Sequence, residues 1–238
     1  MAKKPTSGVA AVRNINAAES KVTGLLVYLA IYLVYAILLV IAGAGLYLLY
    51  QGGYISEPNF EFIFTTIFQL SFTIVVIAYL ILYKKYSIKE SIRSLGMGRD
   101  RLSASMFGIG ILLFVIIFAL EIIASLASAA SGVSLPTNVG SVLGSAPLWF
   151  LIFSAVLEPI NEEILFRGFL VPRIGIVASA AVFAMGHIGY NSIIEVVAAF
   201  AFGLVAGYTY KKTGSLYPSI IAHILVNSLA VAALLGVL

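Results

Sequence analysis

The chain of 238 residues has no cysteine, which excludes disulfides, thiolate metal sites, cysteine nucleophiles and cysteine-linked lipids. Charge is nearly as scarce. Only 10% of residues are Asp, Glu, Lys or Arg, against 61% hydrophobic, and mean hydropathy is +1.08. A soluble fold is excluded, and long apolar runs point to an all-α, polytopic transmembrane helix bundle. The formal net charge of +4 could suggest a nucleic-acid partner, but the placement of the basic residues explains it better.

About seven spans are expected. They run over residues 24–50, 62–83, 103–130, 147–172, 174–187 and 192–210, and from 217 to the C-terminus. Residues 1–22 read as a polar, basic cytoplasmic lead without signal-peptide character. Residues 23–238 read as one bundle, with a catalytic core at about 146–238. The loop 84–101 carries Lys84, Lys85, Lys89, Arg93, Arg99 and Arg101, whereas 131–145 is uncharged. With the N-terminus cytoplasmic, every Lys or Arg outside the spans falls on the inner side, Arg173, Lys211 and Lys212 included. The positive balance is thus topogenic, and no nucleic-acid partner is expected. Gly203 and Gly207 form a small-xxx-small pair suited to close helix packing.

Against this apolar background one stretch stands out: Glu158-Pro159-Ile160-Asn161-Glu162-Glu163-Ile164-Leu165-Phe166-Arg167-Gly168. Each charge at mid-membrane costs ~2.5–3.5 kcal/mol, on the order of 10 kcal/mol for the four. Each apolar neighbour returns only about 0.3–0.6 kcal/mol. Such a helix must turn these groups toward protein or water, which makes them candidates for function. Glu163 and Arg167 stand at i,i+4, acid first, the better order for an ion pair. Glu162 then points elsewhere, beside Glu158 one turn earlier. Pro159, lacking an N–H, should kink the helix beside the acids.

The two histidines both lie in expected membrane helices, His187 four residues after Phe183 and His223 four before Asn227. A structural network could account for Glu163 with Arg167, but it leaves Glu162 without a purpose. Peptide hydrolysis needs a base for water, an oxyanion stabiliser and an acid for the leaving amine. Glu162 helped by His187 could supply the base and acid, with His223 and Asn227 as oxyanion donors. Alternatively, Glu162, His187 and His223 could ligate Zn²⁺ or another divalent metal with one open position. HExxH, GxGD and serine-elbow motifs are missing, and so are transporter-like repeats.

Glu162-Glu163-x-x-x-Arg167, Phe183-x-x-x-His187 and His223-x-x-x-Asn227, in that order over Glu158 to Ser228, resemble the three motifs of the CAAX protease and bacteriocin-processing (Abi) family. That family includes the type II CAAX prenyl endopeptidases. The resemblance implies a membrane-embedded endopeptidase reached from the cytosol, acting on membrane-associated peptides, prenylated CAAX peptides among them. It implies Glu162 as the water-activating residue and Glu163 with Arg167 as its support. The alternatives are a non-catalytic membrane scaffold or bacteriocin-immunity protein, and an ion-coupled transporter.

Overall fold

The computed structural model describes residues 21–131, 140 and 143–237. The lead expected to be cytoplasmic, apart from its last two residues, and most of the uncharged loop 131–145 lie outside the described residues. The rest forms helices: α1 (Lys21–Gln51), α2 (Glu57–Ala78, extended by a π turn Tyr79–Tyr83), α3 (Ile88–Ser94), α4 (Ala104–Ser131), α5 (residues 148–174), α6 (Ile176–Met185, extended by a 3₁₀ turn Gly186–Tyr190), α7 (Ile193–Thr213) and α8 (Tyr217–Leu234).

Five stretches are long and apolar enough to cross a membrane: Thr23–Gln51, Asn59–Tyr83, Ala104–Ile123, Ile193–Thr213 and Tyr217–Leu234. Their outward surface is hydrocarbon, as at Leu33 (64% exposed) and Val40 (71%) of α1, the surface a bilayer would cover. Of the other two expected spans, α5 is long but charged, and α6 is short. The chain is an all-α helical membrane bundle.

Helix α5 occupies the middle, in contact with α2, α6, α7 and α8. It alternates between α and π winding: the π segments Phe153–Leu157 and Ile164–Leu170 flank the α turn Glu158–Glu163. Each π segment ends two residues before a proline, Pro159 or Pro172. In an α-helix a proline ring meets the carbonyl four residues back and cannot bond to it. A wider turn just before the ring relieves that clash, and such π turns concentrate at functional sites. The expected break at Pro159 therefore takes the form of a rewound ladder.

Small residues set the spacing of the neighbouring pair. A Cβ on Gly203 of α7 would lie 2.9 Å from Cα of Ala180 in α6, and one on Gly207 would lie 3.0 Å from Ile176 Cγ2. The two backbones therefore touch, as the small-xxx-small spacing anticipates. The basic segments meet at one end of the bundle. There Leu216 N–H donates to the Gly96 carbonyl (3.2 Å), Tyr217 Oη to that of Met97 (2.9 Å) and Arg101 Nη1 to that of Thr213 (3.1 Å).

Candidate active site

The α turn of α5 between its two π segments places four polar side chains in the interior. Asn161, Glu162 and Glu163 are buried and Glu158 is half-buried. Glu163, with no exposure, accepts from Arg167 Nη1 at 2.8 Å. The guanidinium is held between two rings, 4.3 Å from the Phe183 centroid and 4.9 Å from that of Phe202. A desolvated cation on aromatic faces gains up to about 2 kcal/mol per ring. Phe183 is thus a wall of the arginine pocket, a role that α7 shares through Phe202, which the sequence reading did not single out.

His223 of α8 joins the two adjacent acids. Its Nδ1 lies 3.0 Å from Glu163 Oε1, and its Nε2 lies 3.6 Å from Glu162 Oε2. Glu162 and Glu163 diverge along the helix as expected, yet both reach this one imidazole from different ring atoms. A carboxylate committed to arginine can only accept, so Nδ1 of His223 carries the proton and Nε2 turns a lone pair toward Glu162. The Phe202 and His223 rings are 4.7 Å apart, and Phe183 stands perpendicular to His223 at 5.8 Å.

His187 sits in the 3₁₀ turn that ends α6, half-buried, with its ring 4.7 Å from Phe183. Its Nδ1 donates to the Phe183 carbonyl at 3.1 Å, which again leaves Nε2 as an acceptor. Among the described residues no hydrogen bond joins His187 to Glu162; the two histidines flank the shared ring of Phe183. Asn227, one turn beyond His223, donates through Nδ2 to the Ser154 carbonyl at 2.9 Å. That bond fixes the amide plane and leaves its second N–H available.

Helix α2 completes the site. Gln69 Nε2 donates to Glu158, and Thr73 Oγ1 to the Asn161 side-chain oxygen. Asn161 Nδ2 donates to the Leu157 carbonyl at 2.9 Å, a carbonyl inside the loosened π segment. These partners come from the N-terminal half. Their signal in the sequence is a Gln-x-x-x-Thr pair in an otherwise apolar helix, matched to Glu158 and Asn161 three apart on α5.

Glu162 is held less closely by His223 than Glu163 is. Its nearest ion-pairing nitrogen, at 3.6 Å, is too far for a hydrogen bond. Its side chain keeps 10% exposure where Glu163 keeps none. The Glu162–His223 separation is compatible with two ligands on one ion at ~2.0–2.2 Å each. Among the described residues, however, no group of three His, Cys, Asp or Glu side chains converges as a metal-binding set. His187 does not join Glu162 and His223 in such a set.

No curated protein and no solved structure matches the chain. Residues 144–229 match the family model described as Type II CAAX prenyl endopeptidase Rce1-like. That segment holds the carboxylates, Arg167, both histidines and Asn227. By this match and the motifs within it, the segment 144–229 is similar to the CAAX protease family.

Proposed function

We propose that the chain hydrolyses a peptide bond inside the membrane with water activated by Glu162. The observation that carries this is the contrast among the acids. Glu163 is paired with a guanidinium, while Glu162, also buried, meets only the Gln69 amide and, at 3.6 Å, an imidazole nitrogen. Glu162 takes a proton from water as the oxygen attacks the scissile carbonyl, and returns it to the departing amine. His187, with its Nε2 lone pair, helps to hold that water. His223 takes a proton from solvent at Nε2 before the attack and stands as an imidazolium opposite the Glu163 carboxylate. In that form, with the free N–H of Asn227, it donates to the oxyanion. A neutral His223 with its proton on Nδ1 would offer none there, so the Glu163 contact, which favours the imidazolium, is what makes it a donor.

The substrate enters from the end that gathers the basic segments, which the positive-inside rule makes cytoplasmic. It is a membrane-associated peptide, with prenylated CAAX termini the family's own example. The test uses purified protein in lipid nanodiscs and a fluorogenic CAAX peptide in farnesylated and unmodified forms. Glu162→Gln is expected to lower the rate ~10²–10⁴-fold, the usual worth of a general base, with unchanged helix content. A chelator is expected to leave the wild-type rate intact. Full activity of folded Glu162→Gln protein would end the assignment, and loss of activity on chelation, restored by added Zn²⁺, would replace this mechanism with a metal-dependent one.

A further inference from the structure

The acids of α5 meet a side chain from outside the segment that resembles the family. The match begins at residue 144, whereas Gln69 belongs to α2. Its Nε2 donates to Glu158 Oε1, and the same amide is also a hydrogen-bond donor to the Glu162 carboxylate. Glu158 and Glu162 stand four residues apart, on one face of the helical turn. An amide nitrogen carries two hydrogens, and an ionised carboxylate can only accept. One NH₂ group therefore spans the two acids, with a hydrogen for each.

This orientation leaves the other end of the amide unsatisfied. Gln69 Oε1 is buried and has no hydrogen-bond partner among the described residues. An amide placed only to tie α2 to α5 should satisfy both of its ends, as buried polar groups generally do. Here the nitrogen is committed to the acids and the oxygen goes without. Other contacts already join the two helices. Thr73, one turn further along α2, donates to Asn161, and the ring centroids of Phe72 and Phe166 are 5.9 Å apart.

Glu162 needs such a hold for a chemical reason. It lies on the α turn between two π segments, and His223 Nε2 stands 3.6 Å away. A general base must be kept within hydrogen-bond reach of the proton it takes. A misplacement of about 1 Å can cost ~10²-fold in rate. We infer that Gln69 is the positioning residue of the base. One N–H fixes the Glu162 carboxylate, while Glu158, accepting the other, locks the amide in place. The inference rests on Glu162 as the water-activating group. It makes α2 part of the working site and gives Glu158 a purpose.

The experiment measures kcat and KM for the CAAX peptide in lipid nanodiscs, with the unfolding temperature as a check on the fold. Gln69→Leu is expected to lower kcat about 10- to 100-fold, with KM within about threefold of wild type. Gln69→Asn keeps an amide but draws it back by one methylene, and should also lower kcat. It carries the test if the leucine variant does not fold. Phe72→Leu loosens the same pair of helices without touching an acid. It should lower the unfolding temperature while kcat stays within about threefold of wild type. A double-mutant cycle then asks whether Gln69 acts through Glu162. Adding Gln69→Leu to Glu162→Gln should slow the residual rate by no more than about twofold. Losses that multiply overturn the inference, because Gln69 would then act elsewhere. So does a wild-type kcat in the Gln69 variants, or a kcat loss in Phe72→Leu as large as that in Gln69→Leu, which would reduce Gln69 to a packing residue. Wild-type activity of Glu162→Gln is a separate result: it removes the base itself and the inference with it.

Discussion

Replacing Glu163 by glutamine tests the centre of the cluster with the smallest change of shape. The amide keeps an acceptor for Arg167 Nη1 and for His223 Nδ1, now 2.8 Å and 3.0 Å from the carboxylate. What disappears is the negative charge beside a guanidinium that is 1% exposed. Removing one member of a buried ion pair typically costs 3–5 kcal/mol, because the other charge stays buried and uncompensated. The faces of Phe183 and Phe202 offset part of this through cation–π attraction. The expected loss is therefore about 3 kcal/mol of unfolding free energy. Glu163→Leu with Arg167→Met removes both charges at similar volume, and such swaps are often neutral or stabilising. It still strands the Nδ1 proton of His223, worth about 1–3 kcal/mol. The double variant should therefore be at least as stable as the single one.

Activity should move differently. Both variants lose the carboxylate that orients His223 and stabilises its imidazolium. Rates should drop between ~10² and ~10⁴, by comparison with other orienting carboxylates. Equilibrium unfolding in mixed micelles, followed by circular dichroism, supplies the first quantity and peptide cleavage the second. A Glu163→Gln protein within about 1 kcal/mol of wild type would refute the reasoning, since the pair would then not be electrostatically buried. So would a double variant with wild-type cleavage.

Asn227→Ala should lower kcat ~10²–10³-fold with little change in KM, the signature of a lost oxyanion donor; an equal rise in KM would point to substrate binding instead. Gln69→Leu leaves Glu158 without its donor and should cost about 1–3 kcal/mol, read from the same unfolding curves, whereas an unchanged curve would mean the bond carries no net stability. Gly203→Leu drives a side chain into Ala180 and should cost about 1–3 kcal/mol as overpacking. Cross-linking between α6 and α7 should report their separation, and undisturbed cross-linking would count against backbone contact there.

The sequence showed the architecture wherever hydropathy alone decides it. Five apolar spans fall close to where the runs of Leu, Ile and Val begin and end. The glycine pair on α7 announced a close neighbour because nothing larger would fit. The ion pair Glu163–Arg167 could be read from i,i+4 spacing, and it survives in a π-wound segment. Three things were hidden. Winding does not show in a hydrophobicity count, so a proline predicts disruption but not a π turn. The reach of His223 to two successive acids depends on where α8 lies against α5, which no local pattern specifies. Gln69 and Thr73 are individually unremarkable polar residues; only their common helix face and the matching i,i+3 pair on α5 make them partners.

The four charges of α5 also separate cause from consequence. Each would cost several kcal/mol if turned to lipid, so a stable bundle must satisfy them. It pairs three of them: Glu158 with Gln69, Glu163 with Arg167 and His223, and Arg167 with Glu163 and two aromatic faces, although Glu163 Oε2 and Arg167 Nη2 keep no partner. Folding alone gives little reason to keep the fourth, because a leucine at 162 would remove its desolvation cost and break only its contact with the Gln69 amide. Glu162 is retained facing an imidazole acceptor, with the only residual exposure of the adjacent pair. Where a local rule of stability is broken with little structural compensation, the group answers to something other than folding. In the mechanism proposed above, that is a water molecule and the peptide carbonyl it attacks.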